Sequence, residues 1–320
     1  MPMKIKEEII NALEALAPQI DKNKALLELN KSAVAISHIL AKSKGLDLIE
    51  YICEELRYGQ LPIYTASRFL EKPQIDELIE YLYKHSEQET LDTLLLWYHQ
   101  LWIYTQEVNP KEIFEVLKKL EKSKAVNSNR ITSTICLDCH SVVPESHDRK
   151  CGNCGSDNIV EIHELFLSEP AKSVLKNGQY LEIYVKECME KSGIEPIGWN
   201  SEDDGKRVYT SIKYQVEGEY IDVDALGISQ PVSLILCETK TSKRINMNEI
   251  RRVENLFNRL SRRINELTNK DIPCLKLFIT TGEFDNNVPV SSYQRKGWEL
   301  IDRSKIPNLV EEIRRIVNEI

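Results

Sequence analysis

A chain of 320 residues is too long for one compact core of average size, so two or three domains are expected. With 42% hydrophobic and 29% charged residues it has the composition of an ordinary soluble protein, and no run approaches the ~20 uninterrupted apolar residues of a membrane span. The net charge of −8 argues against indiscriminate polyanion binding, although a total hides how charge is distributed along the chain.

The amino terminus, with Lys4, Lys6, Glu7 and Glu8, leads into an amphipathic helix rather than a secretory leader, and a cytoplasmic location with no membrane partner is expected. Apolar periodicity predicts helices over 4–16, 23–43, 46–57, 73–85, 88–105 and 109–123, with breaks at Pro18, Gly45, Pro62, Pro73 and Pro110. Residues 1–129 are therefore expected to form an all-α domain. Asn109, Pro110 and Glu112 supply an N-cap, a first-turn proline and a third-position glutamate. The helix they open, followed by 125–131, fits the last helix and wing of a winged-helix unit. Trp97, Tyr98, Trp102 and Tyr104 lie among Leu94, Leu95 and Leu101, as in the core of a helix bundle. Through Arg130 there are 17 basic against 20 acidic residues. That balance gives no nucleic-acid footprint, and a protein-docking or regulatory role suits these helices better.

Residues 130–168 carry Cys136, Cys139, Cys151 and Cys154, two C-x₂-C pairs with glycines at the second knuckle. This spacing predicts a Cys₄ ribbon around one tetrahedral zinc, flanked by short strands near 130–135 and 158–162. Four thiolates close the coordination shell, so the zinc is structural and has no open position for substrate. With two basic against six acidic residues over 131–168, a nucleic-acid-binding transcription-factor ribbon is disfavoured. Cys53, Cys188, Cys237 and Cys274 are single and read as small buried hydrophobes.

In the remaining segment, 169–320, two strand-like runs, Glu219–Leu226 and Ser233–Lys240, are joined through Gly227 and Pro231. With the loop centred near residues 229 and 230, antiparallel pairing sets Asp222 beside Glu238 and puts Asp224 opposite about residue 236. Glu238 and Lys240 share a strand face, and they close an apolar strand where charge is costly unless paired or metal-bound. Asp222, Glu238 and the Thr239 carbonyl are hard oxygen donors suited to Mg²⁺ or Mn²⁺, Lys240 can orient an attacking water, and Asp224 is held in reserve for Asp222. The helix predicted over 247–267 buries Ile250, Val253, Leu256, Phe257, Leu260, Ile264 and Leu267. From 240 to 263 eight basic residues stand against Glu249 and Glu254. Lys243, Arg244, Arg251, Arg252, Arg259, Arg262 and Arg263 are thus candidate phosphate contacts.

The order Asp222, then Glu238-x-Lys240, resembles the PD-(D/E)xK phosphodiesterase superfamily, the restriction-endonuclease-like fold, and within it the Mrr-like and archaeal Holliday-junction-resolvase-like branches. Gly178-Gln-Tyr-Leu-Glu182 resembles the family's opening helix, which implies Glu182 as a third carboxylate reaching the metal directly or through water. Leu275–Gly282 and Gly297–Asp302 are similar to the later core strands, with a closing helix over 306–319. The opening pattern also resembles the nuclease halves of CRISPR-associated effectors switched by cyclic nucleotides. The resemblance covers roughly 170–320 and implies an α/β domain with a mixed central sheet. It implies a metal-dependent endonuclease of defence, restriction or repair type, acting on DNA more than RNA, with a homodimer cutting two strands. The alternative from another class is a non-catalytic zinc-ribbon adaptor that binds nucleic acid and recruits partners.

Overall fold

The structure is a computed structural model that describes residues 2–17, 24–40, 45–47, 49–50, 63–66, 72–85, 118–143, 150–197, 199–202, 206–209 and 212–319. The chain divides into two compact units, Met1–Lys42 with Val174–Ile320, and Ser43–Ser173 between them. The first two helices thus cluster with the carboxy-terminal unit. Helix α1 (Pro2–Leu16) buries Ile9, Ala12 and Leu13, and α2 (Lys24–Leu40) buries Ala33, Ile36, Ile39 and Leu40. Helix 46–57 is described only at 46–47 and 49–50, and 88–105 with its aromatic group lies outside the described residues.

The unit 43–173 is built on a four-stranded antiparallel sheet. Strand β1 (Ile63–Ala66) precedes α3 (Lys72–His85), and then come β2 (Val126–Cys136), β3 (Val142–Val143) and β4 (Ile159–Leu167) in the spatial order β1-β4-β2-β3. The amino-terminal stretch is thus not all-α. Its strand β1 pairs Ile63 with Leu165 and Ala66 with Ile162, a partner about a hundred residues away that local periodicity cannot register. The segment 125–131 is no separate wing but leads into β2, which pairs with β4 from Val126↔Leu167 to Cys136↔Ile159 with register shifts between Asn129 and Ile131 and between Ile131 and Ser133.

Helix α4 (Glu169–Asn177) leads to α5 (Gln179–Lys191), β5 (Glu195–Ile197) and the hairpin β6 (Trp199–Glu202) with β7 (Lys206–Tyr209). A second hairpin, β8 (Ile212–Val216) with β9 (Glu219–Val223), precedes β10 (Ala225–Ser229), β11 (Ser233–Lys240) and β12 (Arg244–Ile245). The long α6 (Met247–Thr268), β13 (Cys274–Thr280), β14 (Glu283–Phe284), α7 (Val290–Gln294), β15 (Trp298–Ile301), a 3₁₀ turn and α8 (Leu309–Asn318) complete the unit. Five strands form a mixed sheet in the order β15-β13-β11-β10-β5, parallel from β15 to β11 and antiparallel from β11 to β5.

Both layers of helix follow from strand alternation. Leu234 and Leu236 of β11, with Leu226 and Ile228 of β10 and Phe278 of β13, join the cluster formed by Ile250, Val253, Phe257, Leu260 and Ile264 of α6. Ile235 and Cys237 point the other way, toward the side where α5 packs on β10 and β11. Helix α6 starts at a capping box: the Asn246 side chain accepts from the Asn248 and Glu249 amides at 2.9 and 3.1 Å, and Glu249 accepts from the Asn246 amide at 3.0 Å. Such a cap contributes about 1 kcal/mol and fixes the helix start six residues past Lys240. Residues Ile9, Ala12 and Leu13 of α1 join the same cluster, and Glu8 pairs with Lys270. The apolar face of α1 is thus covered by the chain itself.

Candidate functional site

The register of β10 against β11 places the acidic residues. Ala225 pairs with Cys237 and Ser229 with Ser233, which leaves Gln230–Val232 as the loop; continued by one step past the ladder, this register brings Asp224 rather than Asp222 level with Glu238. This corrects the expected loop centre near 229 and 230. Gly227 does not turn the chain. It lies inside β10 because β5 passes so close that a Cβ there would stand 2.5 Å from Ile194 Cγ2 and 3.1 Å from the Glu195 carbonyl. The Asp224 Oδ2 accepts from the Thr239 amide at 2.7 Å and from the Thr239 hydroxyl at 3.0 Å, a lock between the two strand ends. Lys240 Nζ donates to Glu238 and, at 3.1 Å, to the Thr239 carbonyl. Asp222 sits on β9, its side chain 49% exposed and 3.9 Å from Lys213.

Helix α5 brings Glu182 to the same place. Its N-cap, Gly178, has φ 74° and lies so near Thr241 that a Cβ would stand 2.9 Å from the threonine methyl, which ties the helix start to the residue after Lys240. One turn beyond Glu182, Lys186 is only 4% exposed. The sequence reading missed it, although Glu182-x-x-x-Lys186 on an otherwise apolar helix face was a visible signal.

These groups share one electrostatic environment. Burial, then the charges of Asp224 and Asp222, push Glu182 up to about 8. Burial and then Asp224 push Glu238 up to about 7, and burial with Asp224 raises Asp222. Burial lowers Lys186. Burial also works against the Lys240 ammonium, but Glu238 and Asp224 outweigh it and hold Lys240 above the ordinary lysine value. Carboxylates are thus desolvated together with an excess of negative charge. The Lys240 ammonium bonds two of the expected metal donors, Glu238 and the Thr239 carbonyl. Glu238, Asp224 and the Thr239 carbonyl are hard oxygen donors, the kind of ligand a divalent cation such as Mg²⁺ takes. The carboxylate oxygens do not draw together as tightly as the cysteine sulfurs described below, which are the group of metal-type ligands within 4.8 Å of one another among the described residues.

The basic residues divide into two sets. Arg259 is committed within the chain: its guanidinium donates to Glu217 at 3.1 Å, Glu219 at 2.5 Å and the Val216 carbonyl at 3.2 Å, clamping the β8–β9 hairpin to α6. Arg263 pairs with Glu266 at 2.7 Å. Lys243, Arg244, Arg251, Arg252 and Arg262 are exposed, and Arg252 is close enough to Lys240 to oppose its charge.

In the other unit the sulfurs of Cys136, Cys139, Cys151 and Cys154 lie within 4.8 Å of one another, at 3.6 Å for Cys136 to Cys154 and 3.5 Å for Cys139 to Cys151. Tetrahedral zinc with bonds of about 2.3 Å sets its sulfurs roughly 3.8 Å apart, so the cluster could hold a metal such as zinc. The Ser141 hydroxyl, 3.2 Å from the Cys151 sulfur, pulls that thiol down. The Ser156 backbone lowers Cys154, but Cys139, burial and the other two thiols outweigh it and push Cys154 up, so these thiols titrate as one set. Of the four single cysteines, Cys188 and Cys237 are buried as small hydrophobes should be, Cys274 is half-buried, and Cys53 lies outside the described residues.

No protein-family model matches the chain, and no curated protein matches it. Among solved structures it is similar to protein VC1899 from Vibrio cholerae over 97% of its length and 61% of that chain, at 12% identity and a TM-score of 0.42. It is similar to Can2 from Sulfobacillus thermosulfidooxidans, solved in complex with cyclic tetra-adenylate, over 80% of its length and 58% of that chain, at 13% identity and a TM-score of 0.36. A repair endonuclease from Pyrococcus abyssi overlaps 60% of this chain and 94% of its own, at 12% identity and a TM-score of 0.25. The chain spans about three fifths of the length of the first two. No helix among the described residues is long and apolar enough to cross a membrane.

Proposed function

We propose that the unit carrying 174–320 is a restriction-endonuclease-like domain of the PD-(D/E)xK type, Mrr-like in its branch, that hydrolyses phosphodiester bonds in nucleic acid with Mg²⁺ or Mn²⁺. The observation that carries this reading is the end of the β10–β11 pair: Glu238 bonded to Lys240, Asp224 locked opposite by Thr239, and Glu182 desolvated beside them. Asp224, Glu238 and the Thr239 carbonyl would hold the metal, Glu182 would complete the set directly or through water, and Asp222 stands at the exposed edge. The ion supplies charge neutralisation at the phosphate and a more acidic water. Lys240, kept protonated by its neighbours, orients the attacking water and stabilises charge on the phosphorane oxygens. Water adds to phosphorus, the bond to the leaving oxygen breaks, and that oxygen takes up a proton. Lys243, Arg244, Arg251 and Arg252, which follow the site strand or lie in the first turns of α6, face solvent and fit a phosphate backbone, whereas Arg262 lies beside Asn269 and Asp271 at the far end of that helix. The four cysteines hold one structural zinc, and a homodimer would bring a second site to the opposite strand.

DNA is the favoured substrate, with RNA the alternative, in a cytoplasmic setting. The test is cleavage of single-stranded, duplex and branched DNA and of RNA by zinc-loaded protein in Mg²⁺, Mn²⁺ or Ca²⁺. Cleavage in the first two ions and none in calcium is the expected pattern, since the longer, looser coordination of calcium positions water poorly. Failure to cut any substrate, with binding retained, would replace the nuclease by the zinc-ribbon adaptor.

A further inference from the structure

The β8–β9 hairpin has two faces of opposite character. Tyr214, Val216, Ile221 and Val223 are buried in the cluster around α6, so by strand alternation Lys213, Gln215, Tyr220 and Asp222 share the outer face, and all four are exposed. Cross-strand pairing puts Gln215 opposite Tyr220 and Lys213 opposite Asp222. Tyr220, at 59%, is the most exposed large hydrophobic side chain among the described residues. Its strand is held firmly. A two-residue turn with positive φ at Glu217 and Gly218 closes the hairpin, and Arg259 bonds Glu217, Glu219 and the Val216 carbonyl at the turn. Two residues farther along β9 comes Asp222, and just past the end of that strand Asp224, at the candidate active site.

We infer that this face is a stacking platform for an unpaired nucleobase, and that it selects single-stranded nucleic acid for the site. The inference rests on the nuclease reading and names its substrate class. An aromatic ring exposed on a firmly held strand, with the Gln215 amide directly across from it, offers two contacts a nucleotide takes, stacking on the base and a hydrogen bond to its edge; Lys213 on the same face is paired with Asp222 at 3.9 Å. In a duplex both faces of each base are covered by neighbouring pairs, so only an unpaired or splayed base can reach the ring. One aromatic among charged side chains is too small and too polar for the buried centre of a protein interface.

The test uses the full zinc-loaded chain in Ca²⁺. Binding of a fluorescein-labelled oligo-dT and of a duplex of equal length is measured for the wild type, Tyr220→Ala and Tyr220→Phe. Loss of one stacking contact predicts a roughly 5- to 100-fold weaker Kd of Tyr220→Ala for oligo-dT, with duplex binding and the salt slope unchanged. Tyr220→Phe, which keeps the ring, should stay within about two-fold of the wild type. Oligo-dT binding that is absent in the wild type or undiminished in Tyr220→Ala, or duplex binding that weakens equally, overturns the platform. The exposed ring lies off the core face, and an unchanged melting temperature confirms that Tyr220→Ala folds. Cleavage by the wild type in Mn²⁺ separates the two ideas: a Tyr220-dependent affinity without cleavage sinks only the nuclease, and cleavage without that dependence sinks only the platform.

Discussion

Glu238→Gln should stabilise the protein while destroying its activity. The Glu238 side chain is buried, and its carboxyl is raised from the ordinary 4.5 to about 7 by desolvation first and by Asp224 second, even with Lys240 bonded to it. A folded-state value above the unfolded one means that the folded protein keeps its proton where the unfolded chain has lost it. Stability is therefore fully present below about pH 4.5 and is lost as pH rises through about 7. At 1.36 kcal/mol for each pH unit, ionised Glu238 costs about 3 kcal/mol at pH 8. Glutamine keeps the shape and stays neutral, so it escapes this cost. Urea denaturation of zinc-loaded protein without Mg²⁺ or Mn²⁺ is the assay, read as the difference in unfolding free energy between wild type and variant. The difference should be small at pH 5 and grow to about 3 kcal/mol in favour of the variant at pH 8, with an unchanged m value. Added Mn²⁺ should raise the wild type at pH 8 and not the variant. A Gln variant less stable than the wild type at pH 8 would show that pairing with Lys240 outweighs desolvation and would refute the reasoning.

Asp224→Ala should abolish cleavage, whereas Asp222→Ala, altered at the exposed edge, should lower it by about tenfold; the reverse order in single-turnover rates would return the metal to Asp222. Lys240→Ala should cut the rate by on the order of 10² to 10³ while Mn²⁺ binding by calorimetry persists. Elemental analysis should find one zinc per chain, and Cys151→Ser should release it and unfold the ribbon locally; protein purified without chelator and free of zinc would contradict the site. Charge removal at Arg251 and Arg252 should flatten the salt dependence of nucleic-acid binding by roughly one slope unit per lost contact, whereas Arg259→Met should leave that slope alone and loosen the hairpin; equal slopes for all would mean that the exposed arginines only solvate the surface.

Where function was legible, the cause was local. Ile250, Val253, Phe257, Leu260 and Ile264 recur at helical spacing, and all five are buried under α6; Leu267, one turn on, is 42% exposed because the helix ends at Asn269. The two C-x₂-C pairs specified their cluster by spacing alone, and Glu238 and Lys240 met because strand alternation puts them on one face. What failed was non-local. Gly227 reads as a turn residue in sequence, yet it lies inside β10 against Ile194 and the Glu195 carbonyl, and the register of β10 on β11 brings Asp224 rather than Asp222 to Thr239. β1 lacks any cue for its partner β4. Other signals were present and unread: the Asn246 and Glu249 capping box, the Glu217-Gly218 turn with alternating Tyr214 and Val216 before it, and Lys186 one turn after Glu182. Arg259 illustrates the limit of counting charge, because composition cannot show that its guanidinium is held by Glu217 and Glu219.

The central claim is that Asp224, Glu238 and the Thr239 carbonyl hold the catalytic cation. Anomalous scattering from crystals of the zinc-loaded protein soaked in Mn²⁺ tests it most directly. The account predicts a manganese peak bounded by those three groups, distinct from zinc at the four cysteines and lost in Glu238→Gln. Manganese bound only at Asp222, or a site that stays closed by Lys240 at saturating Mn²⁺, would contradict it.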